Sequence, residues 1–159
     1  LKTAHLFAAS TALGAIVSTD DEGKLEGYRR FGEYLGMAFQ IQDDILGIWG
    51  DEQITGKSAA TDIRDRKKTL PIVYGLNHGE ERDLARQLMD LYAHPGPLGE
   101  TEIQLALEIL DRLDARQYTE EMAEHYYQQA LQTLDQMPMA PEARAQLCEL
   151  AASLAGRRA

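Results

Sequence analysis

Apolar residues recur three and four positions apart along most of the chain, the period of an amphipathic helix. The longest such run is 24–48, where Leu25, Tyr28, Phe31, Leu35, Ala38, Phe39, Ile45 and Leu46 keep that spacing. Ahead of it, residues 3–17 ("TAHLFAASTALGAIV") are small and apolar, suited to a closely packed interior helix. The polar stretch "STDDEGK", 18–24, breaks the pattern. Ser18 or Thr19 is placed there to cap the next helix, with acidic residues in its first turn. Gly32 and Gly36, four residues apart, leave room for another helix to approach. Further helices are expected at 70–78, 80–93, 99–113, 115–135 and 141–156. Pro71 fits a first turn, where its missing N–H costs nothing, and "HPGPLG", 94–99, reads as a helix-breaking turn. Residues 50–68 keep no sustained period and read as a long loop, a kind that is usually functional or disordered. There is no hairpin signal, and the fold class expected is all-α.

A chain of 159 residues is long enough to bury a core,. Its net charge of −10 argues against nucleic acid as a partner, since a phosphate backbone needs a basic surface,. No apolar run reaches the roughly 18 residues of a membrane span, and there is no signal-peptide pattern. Cys148 has no second cysteine to pair with, which favours a reducing, cytoplasmic setting,. Leu1, Lys2 and Thr3 already lie within a helical pattern and no initiator Met precedes them, as expected of a piece of a longer polypeptide.

The segment "FQIQDDILGIWGD", 39–51, places two carboxylates in an apolar run. Helical spacing puts Gln40, Asp43, Asp44 and Gly47 on one side. Adjacent carboxylates repel by about 1 kcal/mol in water and several-fold more in a shielded cleft. Either Asp43 and Asp44 face solvent near a helix end, or a hard cation such as Mg²⁺ neutralises them. Mg²⁺ takes a few carboxylate oxygens and completes its shell with water and phosphate. The loop that follows is the most basic part of an acidic chain: Lys57, Arg64, Arg66, Lys67 and Lys68 against Asp62 and Asp65. Carboxylates, a divalent metal and lysines together describe a diphosphate site.

Other candidates fail. "ITGKSA", 54–59, ends like a nucleotide-binding loop, but position 51 is Asp where that motif needs Gly, and a helix rather than a strand precedes it,. His5, His78, His94 and His125 show no ligand spacing to one another or to Cys148, which fits an apolar helix face. Tyr126 and Tyr127 fit helix packing.

Four segments in order then carry a resemblance: "KTAHLF" at 2–7, "GMAFQIQDDILG" at 36–47, "GDEQITGKSAATD" at 50–62 and "DRKKTLP" at 65–71. Together, across residues 1–78, they resemble the C-terminal half of a trans-prenyltransferase of the isoprenyl diphosphate synthase (polyprenyl synthetase) family. The resemblance implies an isoprenoid-synthase-type helical bundle around a central cavity. Residues 1–159 would be the C-terminal part of a single all-α domain. It implies a Mg²⁺-dependent reaction in which an allylic diphosphate ionises and isopentenyl diphosphate attacks the cation. Carried over by position, Asp43 would be a metal ligand and Asp44 a ligand or a support through water. Lys2, Thr3, Gln40 and Lys57 would contact the allylic diphosphate, Lys67 would help hold the leaving group, and Phe39 would lie against isopentenyl diphosphate. A homodimer is the assembly implied.

Two departures stand out. The family's motif is DDxxD, but position 47 is Gly. No other DDxxD is present; the family's first aspartate-rich motif would fall before residue 1, so these residues alone are expected to be inactive. An alternative reading is a non-catalytic helical subunit of a heteromeric prenyl synthase. A terpene cyclase or squalene-synthase-like enzyme is a third, less well matched by Lys57 and Lys67.

Overall fold

The computed structural model describes residues 2–50, 60–77, 82–93 and 95–155, and these are all helix, turn and coil, as expected. The helices are α1 (Lys2–Ile16), α2 (Glu22–Trp49), α3 (Thr61–Arg64), α4 (Leu70–Asn77), α5 (Arg82–Ala93), α6 (Glu100–Arg112), α7 (Ala115–Gln136) and α8 (Pro141–Ala155). The periodic runs become helices to within two residues at each end. Two differences have local causes. The cap of α2 is Asp21 rather than Ser18 or Thr19: its Oδ1 accepts from the backbone N–H groups of Gly23 and Lys24. That satisfies first-turn donors and places a negative charge at the positive end of the helix. The expected loop at 50–68 contains the one-turn helix α3, too short to show a period.

Contacts divide the chain into two compact units. One holds residues up to Gln42 and from Met122 to Ala155; the other is Asp43–Glu121. In the first, Phe31, Leu35, Ala130, Leu134, Met137 and Ala151 form the core, with Phe7, Tyr28, Tyr127 and Cys148 packed against it. Burial pushes the Tyr127 phenol up from its ordinary range, as packing requires. Tyr126 lies 6.4 Å from Tyr34, centroid to centroid, and His125 meets Tyr126 edge-on. The glycine expectation is met here. A Cβ at Gly32 would stand 2.6 Å from the Phe7 carbonyl oxygen, and one at Gly36 would stand 2.7 Å from Ala4 Cα. The small face of α1 (Ala4, Ala8, Thr11 and Ala15) therefore lies directly on α2, and the Thr11 hydroxyl donates to the Tyr28 carbonyl at 2.7 Å. On the other side of α1, Leu6, Leu13 and Ile16 are exposed, as is Val17 just past its end.

The second unit is built on Ile48, Ile63, Ile72, Leu84, Leu88, Leu98, Ile103, Ile109 and Leu110. Helices α4, α5 and α6 pack on one another around them. Tyr74 stacks on Tyr118 at 4.1 Å, and the Arg116 guanidinium lies over Trp49. Ile45 and Ile48, from the aspartate-bearing run, are packed core residues.

Candidate functional site

In the first unit, Thr3 sits in the opening turn of α1 and Gln40 near the middle of α2. The Thr3 hydroxyl donates to Gln40 Oε1 at 2.6 Å. The acceptor end of the amide is thereby fixed, and its nitrogen is the end that donates. Lys2, one residue earlier, is exposed. Phe39 is half-buried with its ring 5.4 Å from that of Phe7. An opening elsewhere in this unit, lined by Arg30, Tyr34, Gln129, Gln132, Thr133 and Met137, contains none of the expected site residues.

In the second unit, the two aspartates have different surroundings although they are adjacent. Asp43 is exposed. Asp44 is half-buried, and its Oδ2 accepts from the Leu70 backbone N–H at 2.9 Å. Leu70 opens α4, where N–H groups have no partner within the helix. Thr69, the residue before it, is a type that often caps a helix. Its hydroxyl, however, is buried without a hydrogen bond among the described residues. Pro71 has no N–H to offer. Asp44 thus serves as the cap of α4, delivered from α2.

The basic loop is less of a unit than its composition predicts. Arg64 pairs with Glu100 at 3.1 Å, and Arg66 donates through Nε to the Leu91 carbonyl. Neither serves the aspartates. Lys57 lies outside the described residues. Lys67 is held by a carboxylate within the loop itself. Its Nζ is 2.5 Å from Asp62 Oδ1, and its side chain stays more than half exposed. The hydrogen bond to Asp62 raises the Lys67 pKa, with burial opposing and attraction to Asp62, Asp65 and Asp43 assisting.

Asp62 is the residue whose role sequence reasoning missed: it closes the third segment of the resemblance, but was otherwise counted only as an offset to the loop's positive charge. It is 7% exposed. A Cβ at position 47 would lie 2.5 Å from its carboxyl carbon, and closer still to Oδ2. Asp62 brings a carboxylate from another element into the space beside Gly47, the position where the family's motif has its third aspartate. The available signal was the missing third aspartate itself, which makes any nearby acidic residue a candidate.

Among the described residues, no three metal-binding side chains converge. Mg²⁺ does not require three, because it commonly takes one or two carboxylates and fills its shell with water and substrate phosphate. The hard oxygens of Asp43 and Asp44 are a donor set of that kind.

A family model described as polyprenyl synthetase matches residues 1–110. A geranylgeranyl diphosphate synthase of Mycobacterium tuberculosis is 35% identical over 141 residues, covering 89% of this chain and 40% of that protein. The structure of a polyprenyl synthetase from Streptomyces coelicolor A3(2) superposes with a TM-score of 0.86 at 31% identity, over 96% of this chain and 46% of that one. A geranylgeranyl pyrophosphate synthase from Corynebacterium glutamicum, complexed with isoprenyl diphosphate and magnesium, gives 0.79 at 28% identity, over 92% and 41%. The chain spans less than half the length of these relatives. The matched residues include all four of the segments that carried the resemblance, and with the shared all-α fold they establish that this chain belongs to the polyprenyl synthetase family.

Proposed function

We propose that the protein to which this chain belongs is a Mg²⁺-dependent trans-prenyltransferase. It would condense isopentenyl diphosphate with an allylic diphosphate to give a longer polyprenyl diphosphate, working as a cytoplasmic homodimer. Family membership supports the reading, and one observation carries it for this chain: the Lys67 ammonium is fixed on the buried Asp62 carboxylate yet stays more than half exposed, in the same compact unit as Asp43 and Asp44. A cation beside a carboxylate rim is what a departing diphosphate needs.

Asp43 and Asp44 would hold the metal. Mg²⁺, when bound, neutralises charge on the diphosphate as it leaves. Lys2, Thr3, Gln40 and Lys57 would bind the allylic diphosphate. The Thr3 bond holds the oxygen of the Gln40 amide, which would turn its nitrogen, the donor end, toward an anion,. Lys67 would stabilise the leaving group as charge develops, an interaction worth most in the transition state. Phe39, apolar and backed by Phe7, would lie against isopentenyl diphosphate and help keep water from the carbocation.

The test is to assay the full-length gene product with isopentenyl and allylic diphosphates, with Mg²⁺ and with chelator. Elongation that requires Mg²⁺ is expected; its complete absence sinks the proposal. Asp43→Ala should lower turnover by orders of magnitude in a folded protein. Sedimentation reads the dimer.

A further inference from the structure

We propose that Asp62 is a positioning residue for Lys67, its carboxylate seated in the space that Gly47 leaves open. The inference deepens the prenyltransferase reading and depends on it only for the kinetic part of the test.

Three observations carry it. The first is burial. A carboxylate 7% exposed must be paired, and the partner is Lys67, whose side chain stays mostly exposed,. A buried anion is thus tied to a cation that solutes can reach. Asp62 takes one of the three ammonium donors, so two remain for an anionic ligand.

The second is the backbone. Helix α3 ends in a Schellman motif: the Lys67 N–H bonds the Asp62 carbonyl at 2.9 Å, and the Arg66 N–H bonds the Ile63 carbonyl at 2.9 Å,. The motif puts its αL residue at Arg66, with φ of 51°, where glycine is usual,. Ala60, at the other end of α3, has φ of 56°. Two non-glycine residues held in αL show a turn fixed by its surroundings. Here the Arg66 side chain is anchored on the Leu91 carbonyl, and Ile63 is fully buried. The pair is therefore closed twice, through the main chain and through the side chains. A lysine on a four-carbon stem would otherwise sample many rotamers before meeting a substrate; here that freedom is removed in advance.

The third is Gly47. Any side chain there would displace the Asp62 carboxylate from its present place.

The test is a double-mutant cycle in the full-length gene product: wild type, Asp62→Asn, Lys67→Met and both together. Asp62→Asn should lower kcat about 10- to 100-fold, the scale of a misplaced catalytic group, with KM changed far less. It should weaken binding of inorganic diphosphate, measured calorimetrically, in the same direction. In the Lys67→Met background it should do neither. An effect of equal size in both backgrounds, or none in the wild-type background, overturns the proposal, because a merely structural aspartate would act without Lys67. If Asp62→Asn does not fold, Gly47→Ala reads the same coupling from the facing side. Its loss should likewise vanish in Lys67→Met, and persistence there overturns the proposal. If the wild-type protein forms no product, the prenyltransferase reading fails, while the diphosphate-binding cycle still decides the role of Asp62.

Discussion

Asp43 and Asp44 differ by one position, yet replacing them should have different consequences for stability. Asp44→Ala removes the acceptor that Leu70 uses at the start of α4. A hydrogen bond to a charged group contributes about 1.5–3 kcal/mol, and loss of a helix cap costs about 0.5–2. Leu70 is only half-buried, so water can partly replace the carboxylate. The cost should therefore fall near 1–2 kcal/mol, within the cap range. Removing one of two adjacent carboxylates also relieves a repulsion of about 1 kcal/mol at most. That relief is common to both single variants, so the difference between them reflects what Asp44 holds, the cap included. Asp43 is exposed and caps nothing, and Asp43→Ala should leave stability within about 0.5 kcal/mol of wild type or slightly above it. Thermal unfolding of the full-length protein should then place Asp44→Ala about 1–4 °C below Asp43→Ala, at roughly 1–2 °C per kcal/mol for a protein more than twice this chain's length,. Asp44→Asn keeps an acceptor and should lie between them. Equal melting temperatures for the two alanine variants would refute the assignment of Asp44 as the cap of α4.

Three further outcomes are expected. Gly36→Val should destabilise the protein by at least the roughly 1–3 kcal/mol of an overpacked core, because backbone as well as side-chain atoms of α1 stand in the way; denaturant titration measures it, and an unchanged midpoint would mean that α1 is not seated on Gly36,. The Lys67 pKa is raised above its unfolded value of 10.5, so its contribution to stability is complete below that pH and is lost as pH rises through the folded value,. The gap in melting temperature between wild type and Lys67→Met should therefore hold constant from pH 7 to 10 and narrow only at higher pH, whereas narrowing below pH 9 would contradict the pairing. The Tyr92 hydroxyl is buried without a hydrogen bond among the described residues, and burial raises its pKa. Tyr92→Phe should accordingly be neutral or stabilising by up to about 1 kcal/mol in chemical denaturation, and clear destabilisation would reveal a partner for that hydroxyl.

Most of the fold was legible in the sequence because it rests on local rules. Helical periods in 24–48 and 99–135, the proline at 71 and the paired glycines at 32 and 36 act through near neighbours, and each gave the element or contact expected of it. The aspartate pair and the four ordered segments were legible for the same reason: a motif is a local object, and it carried the chain to its family. What escaped was everything settled between segments distant along the chain. Arg64 and Arg66 look like Lys67 in sequence, but Glu100 and the Leu91 carbonyl, 25 or more residues away, take up the first two. Asp43 and Asp44 look alike until α4 begins beside one of them. Gly47 looked like a missing ligand, because periodicity along α2 gives no view of what approaches it from outside. Only the packed structure brings Asp62 there from α3, since a buried charge must find its partner and its space in three dimensions at once.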